Sequence, residues 1–489
     1  MPYRLTRQVF LNAVACPRLG WFSRLDNPPH ELDPEQGSLA GRYLLQEARD
    51  VHARARVLFP NASTVTRQAY EAACWQTQDL MDHPSTHTIL EAAFGTSTCR
   101  ARPDAVVRLG DDWRVCEIKT ALNRTRALVD DLAFSWMVLD QAGVNLGGAS
   151  LILLSRDYRP GMLDEALFTT VDVSREAASR AAEFGELVVQ VDEMTRGDEP
   201  PQPALTAHCG ACPLFRSCTG KGLEHPVFDL PHLTPARLRS LLDSGVTTIE
   251  SIADASLLTP RQSLAWHSVL KNEVILTGDL RGDLDVVAWP ARYLDFETVA
   301  TAIPLFPDLA PLEPFPFVYS VRTCDQPGRM RSHKVFLSPH NRDASEDMAE
   351  RLLQDAGQEG SIIVYSPREA RVIRWLAERI PGLAGHLRAL LPRVVELERI
   401  VRRDVCHPGF RGTMSLQAIL PALVPGFSYI DLEIEESTTE AATFAYLARG
   451  GYYSEERAPL ARRDLAAYCA RDTLALVRMH EALHTLAGG

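Results

Sequence analysis

The sequence predicts an α/β fold built from two α/β regions with a small helical region between them. The chain has 489 residues, of which 46% are hydrophobic and 23% charged. It is therefore too long for one ordinary core and too apolar to be disordered. Strand-like and helix-like periodicities alternate up to about residue 220 and again after residue 288. We expect domains at 1–220, 221–288 and 289–489.

The first region contains a predicted β-hairpin followed by a helix and a further strand. Strand-like runs cover Ala105–Leu109, Trp113–Lys119 and Ala149–Leu154. Gly110-Asp111-Asp112 has the composition of a tight turn and joins the first two runs. Between the second and third runs, Val129 to Ala142 has the apolar period of a helix.

The middle region, 221–288, has helical rather than strand-like periodicity. Its segment LTPARLRSLLDSGVTTIESIADASLLTPRQ predicts a helix, a Ser-Gly turn and a second short helix. The segment resembles a helix-hairpin-helix unit, whose hairpin amides bind nucleic-acid phosphates. A helical linker without a ligand is equally compatible with this pattern. After the connector TGDLRGDLD, the last α/β region ends in a long terminal helix.

Charge and hydropathy limit the partners and the compartment. The net charge of -12 disfavours a basic protein that coats nucleic acid without specificity. It does not exclude a nuclease, because carboxylates that bind metal make an active site acidic. The N-terminus lacks the apolar run of a signal peptide, and no stretch is long enough to span a bilayer. We expect a soluble cytoplasmic protein with reduced thiols and no membrane partner.

Four cysteines form a candidate metal centre. Cys209, Cys212 and Cys218 lie within ten residues of one another, and Cys16 supplies a distant fourth thiol. This spacing alone does not separate structural Zn²⁺ from an iron–sulfur cluster. The pattern of one N-terminal Cys and a later C-x2-C-x5-C resembles the iron–sulfur staple of RecB-type nucleases. That resemblance implies a [4Fe-4S] cluster, with structural Zn²⁺ as the alternative.

Asp104, Glu117 and Lys119 form the first candidate catalytic group. Asp104 opens one predicted strand, and alternation places Glu117 and Lys119 on one face of the next. Carboxylates can hold a metal that activates water, and a lysine can stabilise charge on a phosphate. The chain has only four lysines, so a lysine at this position is informative. An exposed strand with an ordinary ion pair is the alternative.

This order of residues resembles the Asp…Glu-x-Lys signature of the PD-(D/E)XK nucleases, in particular the RecB branch. The resemblance implies that Asp104 and Glu117 bind metal and that Lys119 is catalytic. It also implies that His52, on a preceding helix, is a further metal ligand. The family carries a Gln on the helix after the Glu-x-Lys strand, and this chain has Ser135 there.

Asp295, Glu297, Tyr468 and Asp472 form the second candidate group. Asp295 and Glu297 interrupt an apolar strand and project from one face. Burying two adjacent carboxylates costs on the order of several kcal/mol per ion unless cations compensate their charges. Tyr468 and Asp472 are four residues apart on the terminal helix and share its face.

Asp-x-Glu on a first strand and Tyr-x-x-x-Asp on a last helix resemble motifs of the DnaQ-like DEDDy exonucleases, which have an RNase H-like fold. The resemblance implies two metal ions between the carboxylates and a tyrosine that positions water. The middle motif differs, because Ser366-Pro-Arg-Glu369 stands where an Asp is expected. Glu369 is either a metal ligand or the cap of its helix.

Together the motifs predict a nuclease that hydrolyses phosphodiester bonds with Mg²⁺ or Mn²⁺. Its expected architecture is a PD-(D/E)XK restriction-endonuclease-like domain, a helical linker and an RNase H-like exonuclease domain. DNA is favoured over RNA as the substrate, in repair, processing or defence. The alternatives are an RNA-processing exonuclease and a non-catalytic nucleic-acid-binding scaffold with decayed sites.

Overall fold

The computed structural model of the protein describes residues 4–32, 38–428 and 437–488, and it has the predicted α/β character. The chain forms two compact units. The first comprises Met1–Thr219 and Ala300–Glu313, and the second comprises Gly220–Val299 and Pro314–Gly489. The helical region 221–288 lies within the second unit. None of the described helices is both long and apolar enough to cross a lipid bilayer.

Across residues 4–32, 38–219 and 300–313, the first unit combines six helices with eight strands. The helices are α1 Arg7–Ala15, α2 Pro17–Ser23, α3 Leu39–Ala55, α4 Tyr70–Asp82, α5 Arg126–Gln141 and α6 Ser174–Arg196. The strands are β1 Ser63–Thr64, β2 Thr88–Leu90, β3 Phe94–Gly95, β4 Arg100–Ala101, β5 Ala105–Leu109, β6 Asp112–Ile118, β7 Leu146–Leu154 and β8 Phe168–Asp172.

The main sheet of the first unit has the strand order β1-β2-β5-β6-β7-β8. The predicted hairpin is confirmed, since β5 and β6 pair antiparallel around a turn in which Gly110 has a φ of 64°. Strand β7 runs parallel to β6, and the connecting helix α5 buries its apolar face against the sheet. Phe10, Phe134 and Phe184 pack ring against ring in the core between the helices.

The short segment Ala300–Glu313 lies between two strands of the second unit in sequence but belongs to the first unit. The backbone N–H of Ala302 donates a hydrogen bond of 2.7 Å to the buried carboxylate of Glu47. Ala302 is itself fully buried beside Val51 and Ala55 of α3. The predicted region 289–489 therefore contributes one segment to the core of the first unit.

The second unit contains ten helices and seven strands within the described residues. The helices are α7 Pro235–Asp243, α8 Pro260–Lys271, α9 Leu280–Leu284, α10 Ser345–Ala356, α11 Pro367–Arg379, α12 Ala384–Arg388, α13 Leu397–Asp404, α14 Leu416–Leu423, α15 Ser437–Arg449 and α16 Arg457–Gly488. The strands are β9 Ile275–Leu276, β10 Ala291–Val299, β11 Phe315–Gln326, β12 Arg329–Leu337, β13 Ile362–Val364, β14 Val394–Glu396 and β15 Val405–Cys406.

The central sheet of the second unit has the order β12-β11-β10-β13-β14. Strands β10, β11 and β12 form an antiparallel meander, whereas β13 and β14 run parallel to β10. Strand β10 is central and buried over most of its length, which explains its apolar composition. The 32-residue helix α16 buries a stripe that includes Leu465, Leu476 and Leu483. These elements bring β10 and α16 together at the candidate site.

The predicted second helix of the helix-hairpin-helix pattern is reduced to a single 3-10 turn, Ala255–Leu257. After α7 the chain turns at Gly245, and residues 248–251 form a tight turn in which the Ser251 hydroxyl bonds to the backbone of Thr248. The β-branched Thr247 and Thr248 favour this extended entry over a helical one. The helical region instead joins the α/β part through the antiparallel pair of β9 and β15.

Candidate metal-binding sites

Three acidic side chains of the second unit converge on one point. Asp295 and Glu297 lie two residues apart on β10, and Asp472 lies on α16. One carboxylate oxygen from each lies within 4.8 Å of those of the other two, and all three residues are buried. In the part of the chain that the structure describes, this is the only such set of three or more potential ligand residues. The arrangement can hold a divalent cation.

Glu440 is a fourth acid at this point, and sequence reasoning missed it. It lies on α15, is 1% exposed, and has no hydrogen-bond donor at either carboxylate oxygen among the described residues. Its carboxyl group faces Asp295, Glu297 and Asp472 and is close enough to Glu297 to share a proton with it. Two carboxyl groups in such contact require a proton or a cation between them.

Burial and mutual repulsion raise the pKa of these carboxyl groups. For Asp295, burial is the main cause, followed by the charges of Glu297 and Asp472. Burial also raises the pKa of Glu440, and the same neighbours add to the effect. Burial also raises the pKa of Glu297, but the positive charge of Arg368 opposes this shift. One guanidinium thus faces several buried acids.

Arg368 is the cation of this cluster. Its Nη2 atom donates to Glu297 Oε2 at 2.8 Å and also to the backbone carbonyl of Phe296. Burial alone would lower the pKa of Arg368, but the charges of Glu297, Asp295 and Glu369 outweigh it and raise the pKa. The guanidinium therefore stays charged and compensates part of the acidic charge.

Tyr468 lies on the same face of α16 as Asp472, one helical turn earlier. Both residues line a cavity of about 470 Å³ together with Asp295 and Glu297. The Tyr468 hydroxyl accepts a hydrogen bond from the side-chain amide of Gln417 on α14. Burial, with the nearby acids, raises the pKa of Tyr468, so the phenol keeps its proton. It can donate that proton in a hydrogen bond.

Glu369 caps its helix in the structure. The Ser366 hydroxyl accepts from the N–H of Arg368, and the Glu369 carboxylate accepts from the N–H of Ser366. Glu369 still lines the acidic cavity, and burial raises its pKa to about 7. It is not part of the group of three whose ligand atoms converge. Glu440, rather than Glu369, is the additional acid without a donor.

The first candidate group lies at the open end of the hairpin in the first unit. The register pairs Ala105 with Cys116, and one further step along it puts Asp104 opposite Glu117. Asp104 accepts a hydrogen bond of 2.7 Å from the N–H of Ile118. His52 of α3 approaches Asp104, with 3.3 Å between Nδ1 and Oδ1. The structure therefore places His52 at Asp104 and Asp104 opposite Glu117, but the ligand atoms of these three described residues do not all lie within 4.8 Å of one another.

Cations neutralise this first group more completely than the second. Lys119 Nζ lies 3.3 Å from Glu117 Oε2 and 2.8 Å from Asp131 Oδ2. Arg7 of α1 donates to Glu117 Oε2 at 3.0 Å. Ser135 of α5 donates to the other oxygen of Glu117 at 2.9 Å. Glu117 is thus held by two cations and a hydroxyl.

The surroundings of Asp104 and His52 shift the pKa of each side chain away from its ordinary value. Burial raises the pKa of Asp104 to about 8, and the charge of Glu117 adds to this effect. The Ile118 N–H, Lys119 and Arg7 oppose the shift. Burial lowers the pKa of His52, which favours the neutral imidazole that binds metals.

The four predicted cluster cysteines line one small cavity in the first unit. Cys16 lies at the junction of α1 and α2, and the other three lie in the turns after residue 206. All four thiols are free. Burial raises the pKa of Cys212, and the other three cysteines contribute to the shift. No three of these sulfur atoms, all in described residues, lie within 4.8 Å of one another.

Several residues at these sites carry little or no sequence signal of their own. Arg7 lies 110 residues from Glu117, and nothing in its neighbourhood marks it as a site residue. Glu440 occupies the first turn of a helix, where an acid usually serves the helix dipole. Its position in an otherwise buried apolar face, beside Phe444 and Ala445, was the available signal. Asp131 and Arg368 became site residues only through the fold.

In comparison with known proteins, one family model matches part of the chain. A family model whose description is a domain of unknown function (DUF2779) matches residues 292–415. The matched segment contains Asp295, Glu297 and Arg368 but not Glu440 or Asp472. No curated protein matches the chain.

Glu440→Gln is expected to weaken the binding of Mn²⁺ to the second unit. Loss of a residue that hydrogen-bonds a metal ligand typically lowers metal affinity by about tenfold to a hundredfold. Loss of an anionic ligand itself should lower the affinity by at least that much. The same change should raise the melting temperature of the metal-free protein, because it removes a buried acid that has no donor. Calorimetric titration with Mn²⁺ and thermal unfolding in EDTA measure the two effects.

Glu378→Gln is the matched control, because Glu378 is exposed on α11 and does not line the cavity. It should alter neither the Mn²⁺ affinity nor the melting temperature of the metal-free protein. Equal Mn²⁺ affinity in the Glu440 and Glu378 variants would show that Glu440 takes no part in metal binding.

Asp104→Asn should stabilise the metal-free protein in a pH-dependent way. Because the folded pKa of about 8 lies above the unfolded value of about 3.9, the folded state binds the proton more tightly. Wild type therefore loses stability as the pH rises from about 4 to about 8. The advantage of the variant should grow across that window to on the order of 5 kcal/mol, at about 1.4 kcal/mol per pKa unit, and stay constant above it. Thermal unfolding in EDTA at a series of pH values measures it. A difference that is constant with pH would contradict the assignment.

Proposed function

We propose that the protein is a metal-dependent nuclease that hydrolyses phosphodiester bonds. The observation that carries the proposal is the convergence of Asp295, Glu297 and Asp472 in a buried position. Several buried carboxylates beside one guanidinium are unfavourable without a further cation. A group of this kind in a cavity is therefore a candidate functional site rather than a structural feature.

The donor set fits Mg²⁺ or Mn²⁺. Asp295, Glu297, Asp472 and Glu440 offer only oxygen ligands, which hard divalent cations prefer. When bound, such ions activate water and neutralise the charge that develops on the phosphate. The cavity of about 470 Å³ leaves room beside the acids for part of a substrate.

The side chains around the acids have separate roles in this proposal. Tyr468, held by Gln417, keeps its proton and can donate a hydrogen bond to water or to a phosphate oxygen. Arg368 keeps its charge and orients Glu297. Glu369 fixes the start of α11, which carries Arg368. These contacts keep the acids and the phenol in fixed positions before the substrate binds.

The first unit supplies a second candidate nuclease site. Asp104, Glu117 and Lys119 lie at one end of the hairpin, with His52 beside Asp104. In the PD-(D/E)XK assignment, Asp104, Glu117 and His52 hold the metal, while Lys119 contacts the phosphate. Metal binding would release Glu117 from its contacts with Arg7 and Lys119, which become free to bind the phosphate.

The two sheets support the assignment of the two domain types. In the first unit an antiparallel hairpin is followed by helix α5 and the parallel strand β7, the order expected of a PD-(D/E)XK core. In the second unit an antiparallel meander continues into two parallel strands, the order expected of an RNase H-like sheet. The acids lie on the central strand β10, where that fold carries its first motif.

DNA is the proposed substrate, in repair, processing or defence, because the first unit resembles DNA-directed nucleases. RNA is the second candidate, since exonucleases of the DnaQ-like type act on either polymer. A scaffold that binds nucleic acid without cutting it is the third. Ser135 and Glu369, where the chain departs from the family motifs, are the features that favour it.

Lys119→Ala and Asp295→Ala should each remove one component of a metal-dependent cleavage activity, and the double variant should remove both. We expect each component to fall by at least about a hundredfold, because each change removes a group that stabilises the transition state. End-labelled single-stranded and double-stranded DNA and RNA, incubated with Mg²⁺ or Mn²⁺, measure the activity, and EDTA provides the background.

Lys334→Ala is the control for loss of a lysine, since Lys334 is exposed on β12 and outside both acidic sites. It should cleave like wild type. Degradation confined to RNA would reject the DNA assignment. Binding without metal-dependent cleavage in wild type would favour the scaffold.

We also propose that Cys16, Cys209, Cys212 and Cys218 bind a [4Fe-4S] cluster. The four thiols line one cavity, so they fit a single centre with four sulfur ligands. The choice of a cluster over structural Zn²⁺ follows the resemblance of the C-x2-C-x5-C spacing, with its distant N-terminal Cys, to the staple of RecB-type nucleases.

Anaerobically purified protein should be brown, with broad visible absorbance and bound iron. Cys209→Ser should remove the colour and the iron because it deletes one ligand. Cys74→Ser, at a half-buried cysteine outside the cavity, should retain both. A colourless wild-type protein loaded with zinc would reject the cluster and favour structural Zn²⁺.

A further inference from the structure

A second cavity in the second unit differs in charge from the acidic one. It has a volume of about 320 Å³ and lies between the helical region and the chain after α13. Arg261, Arg402, Arg403 and Arg411 line it, and Asp229 is the one carboxylate among its described lining residues. A concave site of this size with several cations on its wall is suited to an anionic ligand.

Two of these arginines have no acidic partner. Arg402 pairs with Glu398, and Arg403 pairs with Asp283 and Asp404. Arg261 and Arg411 form no ion pair with any residue in the described ranges. Their charges are therefore available to a ligand, whereas those of Arg402 and Arg403 are partly compensated.

The backbone presents these two arginines from well-defined elements. Arg261 is the second residue of α8, whose start is fixed by a capping box between Thr259 and Gln262. The positive end of this 12-residue helix adds to the charge of the guanidinium. Arg411 has a φ of 47°, and a Cβ on the neighbouring Gly412 would meet the carbonyl oxygen of Asp229 at 2.6 Å. This close approach holds the Arg411 turn against the helical region.

The rest of the wall is apolar and aromatic. Phe410 and His407 stack with their ring centroids 5.4 Å apart, and both line the cavity. Ile249, Leu264 and Met414 contribute further apolar surface. Unpaired guanidinium groups beside aromatic rings are the combination that binds single-stranded nucleic acid, with phosphates on the cations and bases on the rings.

Arg402 and Met414 line both this cavity and the acidic one. The two cavities are therefore adjacent within the same unit, and a flexible strand can occupy both. We propose that the basic cavity holds a nucleotide of the single-stranded nucleic acid whose scissile phosphate lies at Asp295, Glu297 and Asp472. This inference rests on the proposed function and names the form of the substrate at that site.

The cavity is tested by strand binding without catalysis. Fluorescein-labelled oligothymidylate and oligouridylate are titrated with the full-length protein in EDTA, and anisotropy is recorded at several salt concentrations. Arg261→Ala and Arg411→Ala should each weaken binding by about tenfold, as for the loss of a charged hydrogen bond. Each should also reduce the slope of log affinity against log salt by about 0.7 for one lost phosphate contact. The two probes compare DNA with RNA.

Arg388→Ala is the matched control, because Arg388 is an exposed arginine of α12 that lines neither cavity. It should leave affinity and slope close to the wild-type values. Arg261→Lys keeps the charge at the helix start and should recover most of the slope. Thermal unfolding of each variant separates a folding defect from a loss of contact.

Binding by the two cavity variants that equals that of Arg388→Ala would overturn the proposal. Thymidine monophosphate that binds as tightly as the oligonucleotide would also overturn it, since the cavity would then take a free nucleotide. The proposed function fails differently. If wild type binds strands through Arg261 and Arg411 but never cleaves them, the cavity stands and the hydrolytic assignment falls.

Discussion

The burial of several carboxylates around one guanidinium is the constraint on which the candidate site depends. Asp295, Glu297 and Asp472 converge, Glu440 adds a fourth charge, and Arg368 is the cation within the cluster. Each buried charge without a partner costs free energy. A buried central strand and a 32-residue helix hold the acids in place despite this repulsion. The unit thus gives up stability locally for a site that attracts cations, which is a usual feature of functional sites.

The negative charge of the acidic side chains is compensated differently at the two candidate sites. In the first unit, Lys119 and Arg7 contact Glu117, so that protein cations provide most of the compensation of that carboxylate. In the second unit, Arg368 faces several acids. A divalent ion therefore has more to compensate in the second unit. In the first unit, a bound ion would have to displace the existing ion pairs of Glu117.

Charge is distributed unevenly within the second unit, and the net charge of the chain hides this distribution. An acidic cavity and a basic cavity share Arg402 and Met414 as lining residues. A net charge of -12 suggests weak attraction for nucleic acid. Local fields in concave sites decide such binding more than the total charge does. In the proposed function, the acidic cavity takes a metal and the adjacent basic cavity takes a polyanion.

Local periodicity in the sequence by itself determined the α/β class, the hairpin around Gly110, the shared face of Asp295 and Glu297, and the helical turn that joins Tyr468 to Asp472. It also left two roles open for Glu369, one of which was the helix cap that the structure contains. These features depend on neighbours within a few residues.

Tertiary packing alone decided the contacts between residues that are distant in sequence. Arg7 contacts Glu117 across 110 residues, and Ala302 binds Glu47 across 255 residues, which assigns one segment to the other unit. Glu440 and the basic cavity likewise arise where distant elements meet, and no local pattern encodes which elements those are.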